Sequence, residues 1–79
     1  MSKEDFLDII QKEQLIKPML NRNPKNLVNV FGYYYNEGWV VYETDERATV
    51  FRSKTLETEE KALLELLEWL RDQHYIDSL

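Results

Sequence analysis

The stretch Phe31-Gly32-Tyr33-Tyr34-Tyr35-Asn36-Glu37-Gly38-Trp39-Val40-Val41-Tyr42 constrains this chain more than any other. It holds six of the ten aromatic residues. Strand-forming aromatic and β-branched residues flank a short polar turn, the signature of a β-hairpin. Asn36-Glu37-Gly38 fits a three-residue loop in which Asn36 and Glu37 are right-handed and Gly38 takes the left-handed position. That loop sets Tyr35 opposite Trp39, Tyr33 opposite Val41 and Phe31 opposite Glu43. On the other face Tyr34 meets Val40, Gly32 meets Tyr42 and Val30 meets Thr44. A slip of one residue would exchange the two faces.

The 79 residues are expected to form a single domain over 1–79. The N-terminal segment predicts a helix over 3–16, with Ser2 as its cap and Phe6, Leu7, Ile9, Ile10, Leu15 and Ile16 as a broad apolar stripe. Pro18 disfavours helix at Lys17, and Met19-Leu20 is expected to add a short turn. Residues 21–26 have loop composition. Strands are expected over 27–35, 39–44 and 49–54, the last two joined by a four-residue turn, Asp45-Glu46-Arg47-Ala48. That turn sets Thr44 opposite Thr49, Tyr42 opposite Phe51 and Val40 opposite Ser53. A helix over 59–73 follows, capped by Thr58. Leu63, Leu66, Leu67 and Leu70 recur at helical spacing, and Glu59 and Glu60 stand where the helix dipole favours negative charge. The expected fold is therefore α+β: an N-terminal helix, a three-stranded antiparallel β-meander and a C-terminal amphipathic helix packed on the sheet.

Two faces compete for that last helix. One carries Val28, Val30, Tyr34, Val40, Tyr42 and Phe51, and the leucine stripe is expected there, with Gly32 allowing close approach. The other carries Phe31, Tyr33, Tyr35, Trp39, Val41 and Val50 among Glu43, Arg52 and Lys54. Tyrosine and tryptophan are common interface anchors. The expected partner site is accordingly Tyr33, Tyr35 and Trp39, with Glu43, Asp45 and Glu46 at its rim. The competing reading is that the N-terminal helix or a homodimer covers this face. The acidic side of the last helix, at Glu65, Glu68 and Asp72, is the alternative site.

Reactive chemistry is sparse. His74 is the one histidine and Gly32 and Gly38 are the only glycines, so a glycine-rich phosphate loop is excluded. With no cysteine there is neither a disulfide nor a thiolate metal site. Glu43, Asp45 and Glu46 are close in sequence, but Arg47 adjoins them on a surface turn and a solvated ion-pair cluster is expected. Neither an enzyme nor a cofactor is expected. Charge is uneven: residues 1–36 carry +1 and residues 37–79 carry −6, giving −5 overall. That field repels nucleic acid and favours basic partners. No apolar run approaches the roughly 20 residues of a membrane span, and the N-terminus lacks the apolar core of a secretory signal, so a cytoplasmic protein is expected.

The segment Trp39-Val40-Val41-Tyr42-Glu43-Thr44-Asp45-Glu46-Arg47, followed by the acidic start and leucine stripe of Glu59 to Arg71, resembles small immunity proteins of bacterial polymorphic toxin systems, and most of all the type grouped as immunity family fifty-nine. The resemblance covers about residues 33–72. Ala48 stands where the family pattern often has glycine after the turn. The resemblance implies a cytoplasmic protein that binds one cognate toxin domain and blocks it by stoichiometric occlusion. Toxins acting on nucleic acid have basic surfaces, which the acidic half would suit. The alternative is a small phage- or host-encoded regulatory adaptor that binds another protein.

Overall fold

The structure, a computed structural model, describes residues 1–79. Helix α1, Lys3–Lys12, starts where Ser2 Oγ accepts from the Asp5 amide at 3.1 Å. It ends a turn earlier than its apolar stripe suggests. Gln14 enters the left-handed region (φ 56°), its amide donates to the Gln11 carbonyl, and the Leu15 amide donates to Ile10 O at 3.0 Å. This is a Schellman closure, in which the residue after the cap turns the chain so that Leu15 meets the core beside Ile10. Pro18 therefore lies well beyond the true end of the helix.

Strand β1 is Met19–Leu20, where a helical turn was expected. It runs parallel to β2, Phe31–Tyr35, with Met19 opposite Gly32 and Leu20 opposite Tyr33. β3 is Trp39–Thr44 and β4 is Val50–Leu56. The sheet thus has four strands in the order β1-β2-β3-β4 and is mixed, the expected antiparallel meander being extended by one parallel strand. β2 starts late because Asn26 and Asn29 adopt left-handed backbone at φ 65° and 52°, which an extended strand cannot contain.

The β2–β3 register is the one the turn predicts, from Tyr35–Trp39 to Phe31–Glu43. The turn itself differs: Glu37, not Gly38, takes the left-handed position (φ 56°), and Gly38 follows at φ 153°. The β3–β4 register also differs. Asp45 and Thr49 close a three-residue loop, Glu46-Arg47-Ala48, and Ala48 supplies its left-handed residue at φ 61°. A bulge then falls at Phe51, between the pairs Thr44–Val50 and Glu43–Arg52. Tyr42 consequently faces Ser53 and Val40 faces Thr55.

Helix α2, Glu59–Asp77, is capped by Thr58 Oγ1, which accepts from the Lys61 amide at 3.1 Å, and it runs a turn past the expected end. Its buried residues Leu63, Leu66, Leu67 and Leu70 pack with Phe31, Tyr33 and Val41, joined by Phe6 and Ile10 of α1. This is the sheet face opposite to the one expected. Arg52 and Lys54 made that face look too polar, but both sit on the outermost strand and reach past the helix. The Arg52 guanidinium lies 3.9 Å over the Trp69 ring, and Lys54 Nζ meets Glu65 Oε1 at 2.6 Å. Gly32 belongs to the other face, where the ring of Tyr42 crosses it and its hydroxyl donates to Arg22 O at 2.7 Å. Arg71 of α2 binds Glu13 through Nε at 2.8 Å and Nη2 at 2.5 Å, tying the end of α1 to α2. With both helices on one side, the molecule is flat, 30 × 29 × 15 Å.

Candidate functional site

The aromatic residues expected at a partner site are graded from core to surface. Tyr33 is wholly buried under α2, and its hydroxyl donates to Glu59 Oε2 at 2.8 Å. Burial, reinforced by the Glu59 carboxylate, pushes the Tyr33 phenol far up from its usual value. Trp39 is half-buried and stacks on Tyr33 at 5.6 Å. Tyr35 meets Trp39 edge-on at 5.2 Å and is 64% exposed. Of the three rings, then, Tyr33 is core, Trp39 is its margin and Tyr35 alone is freely presented. The sequence reading placed all three on an open face because it put α2 on the wrong side of the sheet.

Glu43, Asp45 and Glu46 do not rim those rings. They lie at the other end of β3, four or more residues from Trp39, roughly 13 Å or more along an extended strand. There they line a groove of about 360 Å³ with Phe31, Phe51 and Ile16. Phe51 is 58% exposed and Ile16 is 41% exposed. The groove therefore places carboxylates beside two open apolar side chains.

Its three carboxylates have different duties. Asp45 Oδ1 accepts from the Arg47 amide at 2.9 Å and the Thr49 amide at 3.0 Å, so this side chain shapes the turn. Glu46 sits exposed on the same turn. The Glu43 side chain is 16% exposed and faces Arg52 Nη1 at 3.8 Å, too long for a hydrogen bond. Burial raises the Glu43 carboxyl above its ordinary value, and Arg52 opposes the shift. Glu43 is thus a partly desolvated acid beside the groove, with only one distant cation against it.

Phe51 and Ile16 escaped the sequence reading for separate reasons. Phe51 was placed under the helix by a register that did not contain the bulge. Ile16 was counted into the α1 stripe, and only the closure at Gln14 swings it to the groove. On α2, Glu65 is already engaged, accepting from Lys54 Nζ and from Trp69 Nε1 at 3.1 Å, while Glu68 and Asp72 are exposed. A second groove, about 510 Å³, runs along α1 between Leu7, Ile10, Leu15 and Lys17. No group of three or more His, Asp or Glu side chains is placed to hold a metal ion, and no helix is long and apolar enough to cross a membrane. Comparison with known proteins gives no match to a family model, to a curated protein or to a solved structure.

Proposed function

We propose that this chain is a binding protein of the inhibitory kind, an immunity protein that neutralises a toxin domain in the cytoplasm of the producing cell by occupying it one to one. The observation that carries the binding part of this reading is the groove where Glu43 and Glu46 stand beside the exposed Phe51 and Ile16. A lysine or arginine of a basic partner would lay its aliphatic stem on the apolar walls and its charge on the carboxylates. The −6 charge of residues 37–79 adds long-range attraction toward such a surface. The resemblance of residues 33–72 to immunity proteins supplies the inhibitory role; the groove supplies only a means of binding.

The test is co-expression with any toxic domain that a gene neighbouring this chain's own is found to encode. Protection of growth is expected for the native chain and its loss for the double variant Phe51→Ala with Glu46→Lys, whose melting temperature should stay near native because both side chains are exposed. Association should also slow as salt rises, since exposed charges are screened within about 8 Å at physiological ionic strength. Full protection by the double variant would move the site away from the groove. A tight partner that is not toxic would favour the regulatory adaptor.

A further inference from the structure

We propose that the free edge of β4 is a strand-addition site for an extended segment of a protein partner that carries acidic residues at two alternate positions. The site lies apart from the groove and does not depend on the inhibitory reading. β4 is an outer strand of the sheet, and all of its residues from Val50 to Thr55 are exposed. The ladder shows which backbone groups are available. The Thr44 amide points toward β2, where it donates to Val30 O at 2.9 Å. Antiparallel ladders alternate, so Glu43, Val41 and Trp39 turn their backbone groups toward β4 and bond Arg52, Lys54 and Leu56. Ser53 and Thr55 then present their N–H and C=O groups outward, a repeat that one added strand can satisfy.

Charge decides what that strand is. A second copy pairing antiparallel about Ser53 would set Arg52 of each chain against Lys54 of the other. Pairing about Arg52 or about Lys54 would set each against itself, as would parallel pairing in register. Like charges directly opposite destabilise a strand pair, so self-pairing is disfavoured. The same two cations favour an incoming strand with Asp or Glu at i and i+2 on that face. Both side chains are exposed. Arg52 lies over Trp69 with its guanidinium N–H groups free of a hydrogen bond to Glu43 at 3.8 Å, and Lys54, which gives one N–H to Glu65 at 2.6 Å, keeps two further donors for an incoming carboxylate. Edge cations also occur in proteins simply to keep edges apart, and the experiment separates the two roles.

The probe is the peptide Thr-Val-Asp-Val-Asp-Val-Thr, whose aspartates share one face when it is extended. It is titrated into the ¹⁵N-labelled chain, beside a version with lysine for both aspartates and a version N-methylated at alternate amides. Slowed hydrogen exchange at the Ser53 and Thr55 amides is expected with the aspartate peptide alone. Lys54→Gln, checked by thermal melting for a native fold, should weaken that binding by up to about fivefold. Unslowed exchange at Ser53 and Thr55 at millimolar peptide, or equal binding of the N-methylated peptide, would overturn strand addition. Equal binding of the lysine peptide, or no loss on Lys54→Gln, would overturn the acidic selectivity and leave the cations as edge protection.

Discussion

Gln14, Glu37 and Ala48 hold left-handed backbone, at φ 56°, 56° and 61°, without glycine's freedom. Each sits where the chain must reverse: the end of α1, the β2–β3 turn and the β3–β4 turn. The left-handed conformation costs an L-residue about 1–2 kcal/mol, and the turn retains it because Asp45 Oδ1 holds the loop from inside. Ala48→Gly should therefore raise stability by about 1 kcal/mol, a gain of about 4–8 °C in a domain this small, and a thermal melt measures it. Gly32 makes the converse case. A Cβ there would lie 2.7 Å from the Met19 carbonyl oxygen and inside the space of the Tyr42 ring. The carbonyl belongs to the β1 backbone and cannot swing away. Gly32→Ala should cost about 1–3 kcal/mol, seen as a lower urea midpoint with an unchanged slope. Sequence reasoning set Gly32 opposite Tyr42 and saw that Gly32 permits a close approach, but assigned that approach to α2 because it put the helix on this face.

Among the elements, α2 was the most legible. Its leucine spacing, Thr58 cap and acidic first turn are local properties, and the structure uses each of them. Leu67 is buried in the core that α2 forms with the sheet. Leu67→Ala should destabilise by about 2–5 kcal/mol, and an unchanged melting temperature would remove the leucine stripe from the core. The β2–β3 hairpin was equally legible in register, since its loop length sets the pairing even though the left-handed residue is Glu37. The neighbouring hairpin was not. One residue fewer in its loop and one extra at the Phe51 bulge shift the pairing by two places, so alternation along β4 stays compatible with either register. That shift matters for the candidate site, because it moves Phe51 from the expected core to the groove beside Glu43.

At the scale of the whole molecule, one layer of helices on one sheet face leaves a small core held partly by phenols. Burial pushes Tyr42 up to about 12, and Tyr33 is raised further by burial and Glu59. A tyrosine whose folded value lies above its unfolded value of about 10 contributes full stability below pH 10. Above it, the unfolded chain releases protons that the folded chain keeps, so stability falls as pH rises toward the folded values. Each ring then removes at most about 1.4 kcal/mol per pH unit, so the urea midpoint should fall steadily as pH rises above about 10. Urea titrations at successive pH values check this, and Tyr42→Phe should roughly halve the alkaline slope. The sequence by itself determined the α+β class, the last helix, the register of the central hairpin and the uneven charge, because these rest on residue spacing, loop length and composition. Tertiary structure alone decided which sheet face is buried. Both faces carry aromatic and β-branched residues in alternation, and the difference between them is where the charges sit. Arg52 and Lys54 stand on an edge strand, so their stems pass the rim of α2 and their charges stay outside. The face taken by α2 made Tyr33 a core residue, and the bulge at Phe51 with the closure at Gln14 gathered Glu43, Phe51 and Ile16 into one groove; each depends on long-range packing that residue spacing does not encode.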